Sequence, residues 1–105
     1  ITALDYIDNA IAITALRYNR RPEFQIYSSS LIQLQFIKNV LLGVEKDNAR
    51  LHQLTIGAWA GKEFEVNDPE LASALGIAFY IGDQIAQGLK IQLPNGLPPE
   101  SLPRT

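Results

Sequence analysis

The chain has 105 residues, which is the length of a single domain because folding units commonly contain about 50 to 200 residues. Its 47% hydrophobic and 19% charged residues are typical of a globular protein and exclude both an intrinsically disordered chain and a membrane protein. The net charge is −2, and no basic cluster is longer than Arg20-Arg21, which argues against nucleic acid as a partner.

The first predicted helix runs from Thr2 to Arg21. Its apolar and small residues recur at intervals of three and four, which places them on one helical face. They are Leu4, Ile7, Ile11, Thr14, Ala15 and Tyr18. Thr2 can cap the first free amides, Asp5 adds negative charge to the first turn, and Pro22 marks the exit.

The second predicted helix begins near Ser28-Ser29-Ser30, whose hydroxyls could cap its first turn, and runs to about Leu42. Gly43 is a plausible left-handed terminator. The apolar residues of this helix point in nearly all directions: Ile32, Leu34, Phe36, Ile37, Val40 and Leu41. This pattern predicts a central helix that is packed by neighbours on more than one side.

The third predicted helix is opened by Asp47 or Asn48 and runs from Ala49 to about Phe64. Its expected inward stripe consists of Leu51, Leu54, Thr55 and Ala58. Gly57 and Gly61 are four residues apart, a spacing that could allow close helix contact. The simpler interpretation, which we prefer, is that small residues fill tight space there.

The fourth predicted helix has the clearest start signal, Asn67-Asp68-Pro69-Glu70, and runs to about Gln87 before stopping at Gly88. We expect Leu71, Leu75, Ala78, Phe79, Ile85 and Ala86 to face inward. We expect Ser73, Tyr80, Asp83, Gln84 and Gln87 to face outward.

From Leu89 the helical pattern gives way to an expected extended strap, followed by Pro94, Pro98, Pro99 and Pro103. We therefore divide the chain into a helical domain, 1–94, and a proline-rich tail, 95–105, expected to be flexible. The short connections predict an all-α fold, a compact antiparallel bundle of four helices with an extended tail.

The sequence offers little catalytic equipment. The lack of cysteine excludes disulfides, thiolate metal sites and cysteine nucleophiles, and His52 is the only histidine, without obvious triad companions. The acids Glu63, Glu65, Asp68 and Glu70 are better interpreted as a solvated surface than as a metal site. No glycine-rich phosphate loop follows a strand. We therefore predict no catalytic residue, no cofactor and no metal.

Some apolar residues lie outside the stripes that are predicted to face inward, and these residues are candidates for a binding surface. Ile56 and Trp59 share a side with His52 and Glu63, roughly 100° away from the third helix's inward stripe. The alternative, which we favour, is that Trp59 forms the edge of the core, the commoner role of such a residue. A second candidate surface on the back of helix one comprises Tyr6, Ile13 and Arg17.

Taken from end to end, the chain resembles a family of small helical immunity proteins that protect bacteria against the type VI secretion effector that hydrolyses NAD and NADP. The resemblance lies in six segments: Tyr6–Asp8, Gln33–Ile37, Leu51–Gly57, Lys62–Phe64, Asp68–Leu71 and Gly88–Pro94. Each segment alone could occur in an unrelated helical protein. The resemblance therefore rests on the order and spacing of all six segments from about Thr2 to Pro94.

The resemblance implies an antitoxin without catalysis that binds the toxin domain of its cognate effector and occludes the active site. A cytoplasmic location agrees with Ile1–Asp8, which carries two acids where a secretion signal has cations, and with the absence of a run of about 20 apolar residues that could span a membrane. We expect no membrane partner.

We hypothesise that Glu63, Glu65 and Asp68, together with Trp59 and Ile56, meet a toxin cleft that is basic because it handles dinucleotide phosphates. His52 lies on the same side. The alternative function is a non-catalytic homodimeric adaptor or regulatory protein that self-associates through the same leftover apolar side.

Overall fold

The computed structural model of the chain describes residues 1–93, whose regular elements are all helical, and the predicted tail lies outside them. The α-helices are α1 (Ala3–Arg20), α2 (Gln25–Leu41), α3 (Ile56–Trp59) and α4 (Pro69–Ala86). A 3₁₀ helix, Ala49–Gln53, precedes α3, and a π-helical turn, Ala60–Phe64, follows it. The predicted all-α class with four helices is confirmed.

The ends of α1 and α4 are capped as the sequence predicts. The Thr2 hydroxyl accepts a bond of 3.2 Å from the Asp5 N–H, while the Asp5 carboxylate accepts one of 2.8 Å from the Thr2 N–H. These reciprocal bonds form a capping box. At α4, the Asp68 carboxylate accepts a bond from the Leu71 N–H. Gly88 follows α4 with a φ of +71°, the left-handed conformation that ends helices.

The predicted start of α2 is wrong, because the helix begins at Gln25, ahead of the serines. The preceding residue, Phe24, makes no side-chain cap bond. Ser28 instead donates to the Gln25 carbonyl at 3.0 Å, and Ser30 is buried with its hydroxyl unpaired. Packing fixes the first turn here, because the Phe24 and Tyr27 rings meet edge to face at 4.9 Å. At the other end, Gly43 adopts the predicted left-handed conformation, with a φ of +77°.

The helix predicted over 49–64 is interrupted at Leu54 and Thr55, where the 3₁₀ helix ends and α3 begins. The Gln33 side chain of α2 accepts bonds from the Thr55 N–H at 2.8 Å and the Ile56 N–H at 3.2 Å. It also donates to the Thr55 hydroxyl at 2.7 Å. Gln33 therefore caps α3 from another helix and holds the break open.

The break changes which residues of this segment face inward. Leu51 is buried and Leu54 is half-buried, but Thr55 and Ala58, also predicted to face inward, are exposed. The reason is that the helical phase restarts after the break, so a stripe extrapolated from Leu51 no longer follows the core.

The central position belongs to α4, which packs against α1, the 3₁₀ helix, α3 and the π-helical turn. Helix α1 packs against both α2 and α4, whereas α2 and α4 share few contacts. The prediction that α2 is the central helix is therefore wrong, and the side chain of Ile32 is 62% exposed. Its residues Leu34, Phe36 and Ile37 are buried.

On α4, Leu71, Leu75 and Ala78 are buried, and Phe79, Ile85 and Ala86 are half-buried against the core, in agreement with the predicted inward face. The prediction that Gln84 faces outward is wrong. Its amide accepts from the Gln92 N–H at 2.8 Å and donates to the Gln92 carbonyl at 3.1 Å. This pairing fixes residues 89–93 against α4, and Ile91 and Leu93 pack on the core.

One of the two glycines in the segment 49–64 makes a close helix contact. A Cβ added to Gly57 would lie 2.6 Å from the ring of Phe79 on α4, so the ring occupies the space that a side chain would need. Gly61 has open space around it. The two glycines therefore do not form a joint contact motif.

Candidate protein-binding surfaces

The π-helical turn is held in place by an aromatic side chain. Phe64 is 4% exposed, and its ring stacks on Tyr27 of α2 with centroids 5.8 Å apart and contacts Phe24 edge to face at 6.5 Å. Because Phe64 is directed inward, its neighbours Glu63 and Glu65 are displayed to solvent on either side of it. Neither carboxylate forms an ion pair with another residue of 1–93.

Of the other residues of the first predicted surface, some are exposed to solvent and some are buried. His52 is exposed on the 3₁₀ helix, and Trp59 is half-buried against the core, which combines the two roles considered for it. Ile56 is fully buried, so the prediction that it faces a partner is wrong. The break at Thr55 directs Ile56 into the core instead.

Asp68 belongs to a partly buried ion-pair network that links α1 to α4. We call this network of Arg17, Asp68 and Glu70 the Arg17 clasp. Arg17 Nε lies 2.8 Å from Asp68 Oδ2, and Arg17 Nη2 lies 3.3 Å from Asp68 Oδ1 and 2.6 Å from Glu70 Oε1. The Arg17 and Asp68 side chains are 17% and 18% exposed. One guanidinium thus bridges two carboxylates in the forked geometry that favours strong pairing.

This environment lowers the pKa of Asp68. Partial burial alone would raise the pKa of the carboxyl group, but the bonds from Arg17 and the Leu71 N–H, with the positive charge of Arg17, outweigh it. In turn the bond to Asp68, the largest effect, helps to raise the pKa of Arg17 above its usual value. Asp68 and Arg17 are therefore charged and paired with each other, and they are less available to a partner than Glu63 and Glu65.

The second predicted surface is not formed. Tyr6 is 2% exposed and Ile13 is fully buried, so the prediction that they lie on the outside is wrong. The physical reason is that α1 packs against both α2 and α4, which buries residues on two of its sides instead of one. Its third member, Arg17, is placed against Asp68 of the first predicted surface.

The accessible part of the first surface, which we call the π-turn surface, comprises Trp59, Glu63 and Glu65. Beside it is a depression of about 350 Å³ between the π-helical turn and the start of α4. Small residues and one carboxylate line this depression: Ala60, Gly61, Glu65, Pro69, Ala72 and Ser73.

A second concave region, which we call the α2 groove, lies between α2 and the 3₁₀ helix. Its volume is about 250 Å³, and its lining includes Ile32, Gln33, Phe36, Arg50, Gln53 and Leu54. The Arg50 guanidinium stacks on the Phe36 ring, 4.8 Å from its centroid. Sequence reasoning missed this groove because Ile32 was assigned to the core. Its flanking glutamines, Gln33 and Gln35, are the signal that could have identified an exposed side of α2.

Within residues 1–93, no three histidine or acidic side chains are grouped closely enough to hold a metal ion. None of the helices in that stretch is both long and apolar enough to cross a membrane.

Known proteins are similar to this chain in sequence and in fold. The sequence model of the Tsi6 family matches residues 2–84. The immune protein Tsi6 of Pseudomonas aeruginosa is 44% identical over 94 residues, which are 90% of this chain and 100% of that protein.

Solved structures give the same result. A chain in the structure of Tse6 in complex with Tsi6 superposes with a TM-score of 0.85 at 44% identity, over 90% of this chain and 100% of that chain. The structure of Tsi6 from Pseudomonas aeruginosa superposes with a TM-score of 0.75 at 43% identity, over 78% of this chain and 95% of that one. The chain therefore belongs to the Tsi6 family of immune proteins.

Proposed function

We propose that this chain is an immunity protein that neutralises a cognate type VI secretion effector by binding its toxin domain. The observation that carries the proposal is the match to a structure of Tse6 in complex with Tsi6, in which this chain covers 100% of the matched chain. The whole scaffold of a protein that forms such a complex is thus present here.

We further propose that neutralisation occurs by occlusion of the toxin's active site. Occlusion requires no reactive group on the inhibitor, only a complementary surface of the usual size, roughly 1,600 Å² in total. Tight binding then comes from a few anchoring side chains. In this mechanism the chain has no enzymatic activity of its own.

The π-turn surface is our candidate for the part that enters the toxin cleft. Glu63 and Glu65 are exposed, form no ion pair within 1–93, and sit on a turn that Phe64 anchors. A cleft that handles the phosphates of NAD or NADP is basic, so these carboxylates complement it and accelerate association. Trp59 adds a rigid aromatic edge beside them.

The resemblance to immunity proteins of NAD(P)-degrading effectors supports this choice of toxin chemistry. A toxin that destroys a cytoplasmic dinucleotide pool must be met where it acts, which supports a cytoplasmic location for the chain.

The test is a titration of the full chain against the purified toxin domain encoded by the neighbouring effector gene. We expect stoichiometric complex formation, measured by calorimetry, with parallel loss of dinucleotide hydrolysis. W59A and the double reversal E63K/E65K should each weaken capture. A stable dimer in light scattering that leaves toxin activity intact would contradict the proposal and favour a homodimeric adaptor.

A further inference from the structure

The α2 groove combines an exposed apolar side chain with a preorganised cation. Ile32 is 62% exposed on α2, although the neighbouring apolar residues of this helix are buried or half-buried. Arg50 approaches from the 3₁₀ helix and stacks on Phe36, which is 9% exposed. An exposed isoleucine in a concave site is an apolar area that a partner can remove from water.

The stacked guanidinium has hydrogen-bonding capacity that the fold does not use. The Arg50 guanidinium lies over the Phe36 ring, and no side-chain hydrogen bond to another residue of 1–93 uses its five N–H donors. Within residues 1–93, Arg50 makes no ion pair with a carboxylate. Because the ring already restricts the side chain, less conformational entropy is lost when an acceptor binds.

The charge of the groove defines the chemistry of its occupant. A second cavity of about 270 Å³ continues the groove past Gln35 and Asn39, and Arg50 lines both cavities. Arg50 is the one charged side chain among the residues that line them, so the lining carries a positive charge without a compensating acid. The matching ligand has a carboxylate beside an apolar group.

The walls of the groove are fixed before any partner arrives. Gln33, which lines the groove, makes three hydrogen bonds to Thr55 and Ile56 and thereby ties α2 to the start of α3. Leu54, immediately before this junction, forms part of the opposite wall. A site whose walls are held by buried contacts and side-chain bonds binds without a large ordering cost.

We propose that the α2 groove is a second contact site for the cognate effector, which it holds through a segment carrying a carboxylate next to an apolar side chain. The carboxylate pairs with Arg50, and the apolar side chain covers Ile32. This inference rests on the proposed function and adds a site that shares no residue with the π-turn surface. The effector would thus present a basic cleft to one surface and an acidic segment to the other.

The decisive experiment compares R50E with K46E in binding to the toxin domain of the neighbouring effector, followed by surface plasmon resonance. Both variants reverse one exposed positive charge, but Lys46 is outside the groove lining. We expect R50E to weaken affinity by about tenfold or more, mainly through faster dissociation, because it removes a direct contact. K46E should alter mainly the association rate, and by only a few-fold.

The apolar half of the site is tested by I32S against V44S, since Val44 is also exposed, at 73%, and lies outside the groove. We expect I32S to weaken binding several-fold and V44S to leave it unchanged. Thermal unfolding of all four variants monitors folding, and R50K adds a variant that retains the charge but loses the forked donor geometry. R50K should bind with intermediate affinity.

Three outcomes are distinguishable. Failure of the unsubstituted chain to bind the toxin domain contradicts the proposed function itself. Normal binding by the unsubstituted chain, with equal effects of R50E and K46E, overturns the groove proposal alone. Self-association that R50E abolishes while toxin affinity is unchanged also overturns it, and assigns the groove to a second copy of the chain.

Discussion

Helices α1 and α4 differ from the segment 49–64 in what determines their conformation. Both helices start with caps from their own sequence: Thr2 with Asp5 in α1, and Asp68 in α4. The segment 49–64 changes from 3₁₀ to α to π geometry within sixteen residues and is capped by Gln33 of another helix. The starts of α1 and α4 are thus set locally, whereas the irregular segment depends on its neighbours.

The same comparison separates scaffold from candidate function. The contact between α1 and α4 carries the Arg17 clasp and much of the buried core. The irregular segment supplies the π-turn surface and, through Arg50, part of the α2 groove. Irregular backbone presents side chains in directions that a continuous amphipathic helix cannot, and π-helical turns are frequent at functional sites.

The largest expected effect comes from removing the anchor of the irregular segment. F64A deletes a ring that stacks on Tyr27 and is 4% exposed, and we expect a loss of about 3 to 5 kcal/mol in the free energy of unfolding. V66A is the control, because Val66 is 89% exposed and its truncation should change stability by less than about 0.5 kcal/mol. Urea denaturation measures both. Equal midpoints would refute the anchoring role.

The next effect concerns the close contact between α3 and α4. G57A places a methyl group where the Phe79 ring lies, and we expect it to destabilise the protein by about 1 to 3 kcal/mol. G61A has open space, so we expect it to be neutral or stabilising by up to about 1 kcal/mol. Thermal melts of the pair give the sign directly. If G57A stabilised the protein, the Phe79 ring would have moved aside without a loss of stability, which would contradict the prediction.

A smaller effect is expected at the break itself. Q33A removes the acceptor of the Thr55 and Ile56 amides and should cost about 1 kcal/mol, since these groups become unpaired near the surface. Q35A is the matched control, because among residues 1–93 the Gln35 side chain bonds only to Asn39 of its own helix. Amide hydrogen exchange at Ile56 should accelerate in Q33A and not in Q35A. Unchanged exchange would mean that packing alone holds the break.

The clasp between α1 and α4 makes a contribution that depends on pH. The folded-state pKa of Asp68 is below its unfolded value, so its stabilisation is present above about pH 4 and is lost as pH falls through the lower folded value. D68N retains an oxygen that can cap α4 but removes the charge that pairs with Arg17, so it should reduce stability at pH 7 by up to about 1 kcal/mol, and the deficit should shrink on acidification. Denaturation at a series of pH values checks this. If the loss of stability in D68N were the same at every pH, ionisation of Asp68 would not be its cause.

The sequence was most informative where local rules operate. The capping residues of α1 and α4, the glycine stops at Gly43 and Gly88, and the exposed acids Glu63 and Glu65 were all predictable from neighbouring residues. The start of α2 was not, because aromatic packing at Phe24 replaced the expected serine cap. Nor was the burial of Ile56, Tyr6 and Ile13, which depends on how the helices pack against one another.

By itself, the sequence determined the helical class, the ends of α1 and α4 and the family, since periodicity, caps and the order of shared segments are properties of the chain alone. Only the tertiary structure decided that α4 is central, that Gln33 interrupts the third helix, and that Ile32 and Arg50 meet in an open groove. The physical reason is that these features arise from contacts between residues distant in sequence. A helical wheel records the direction of a side chain but not what lies opposite it.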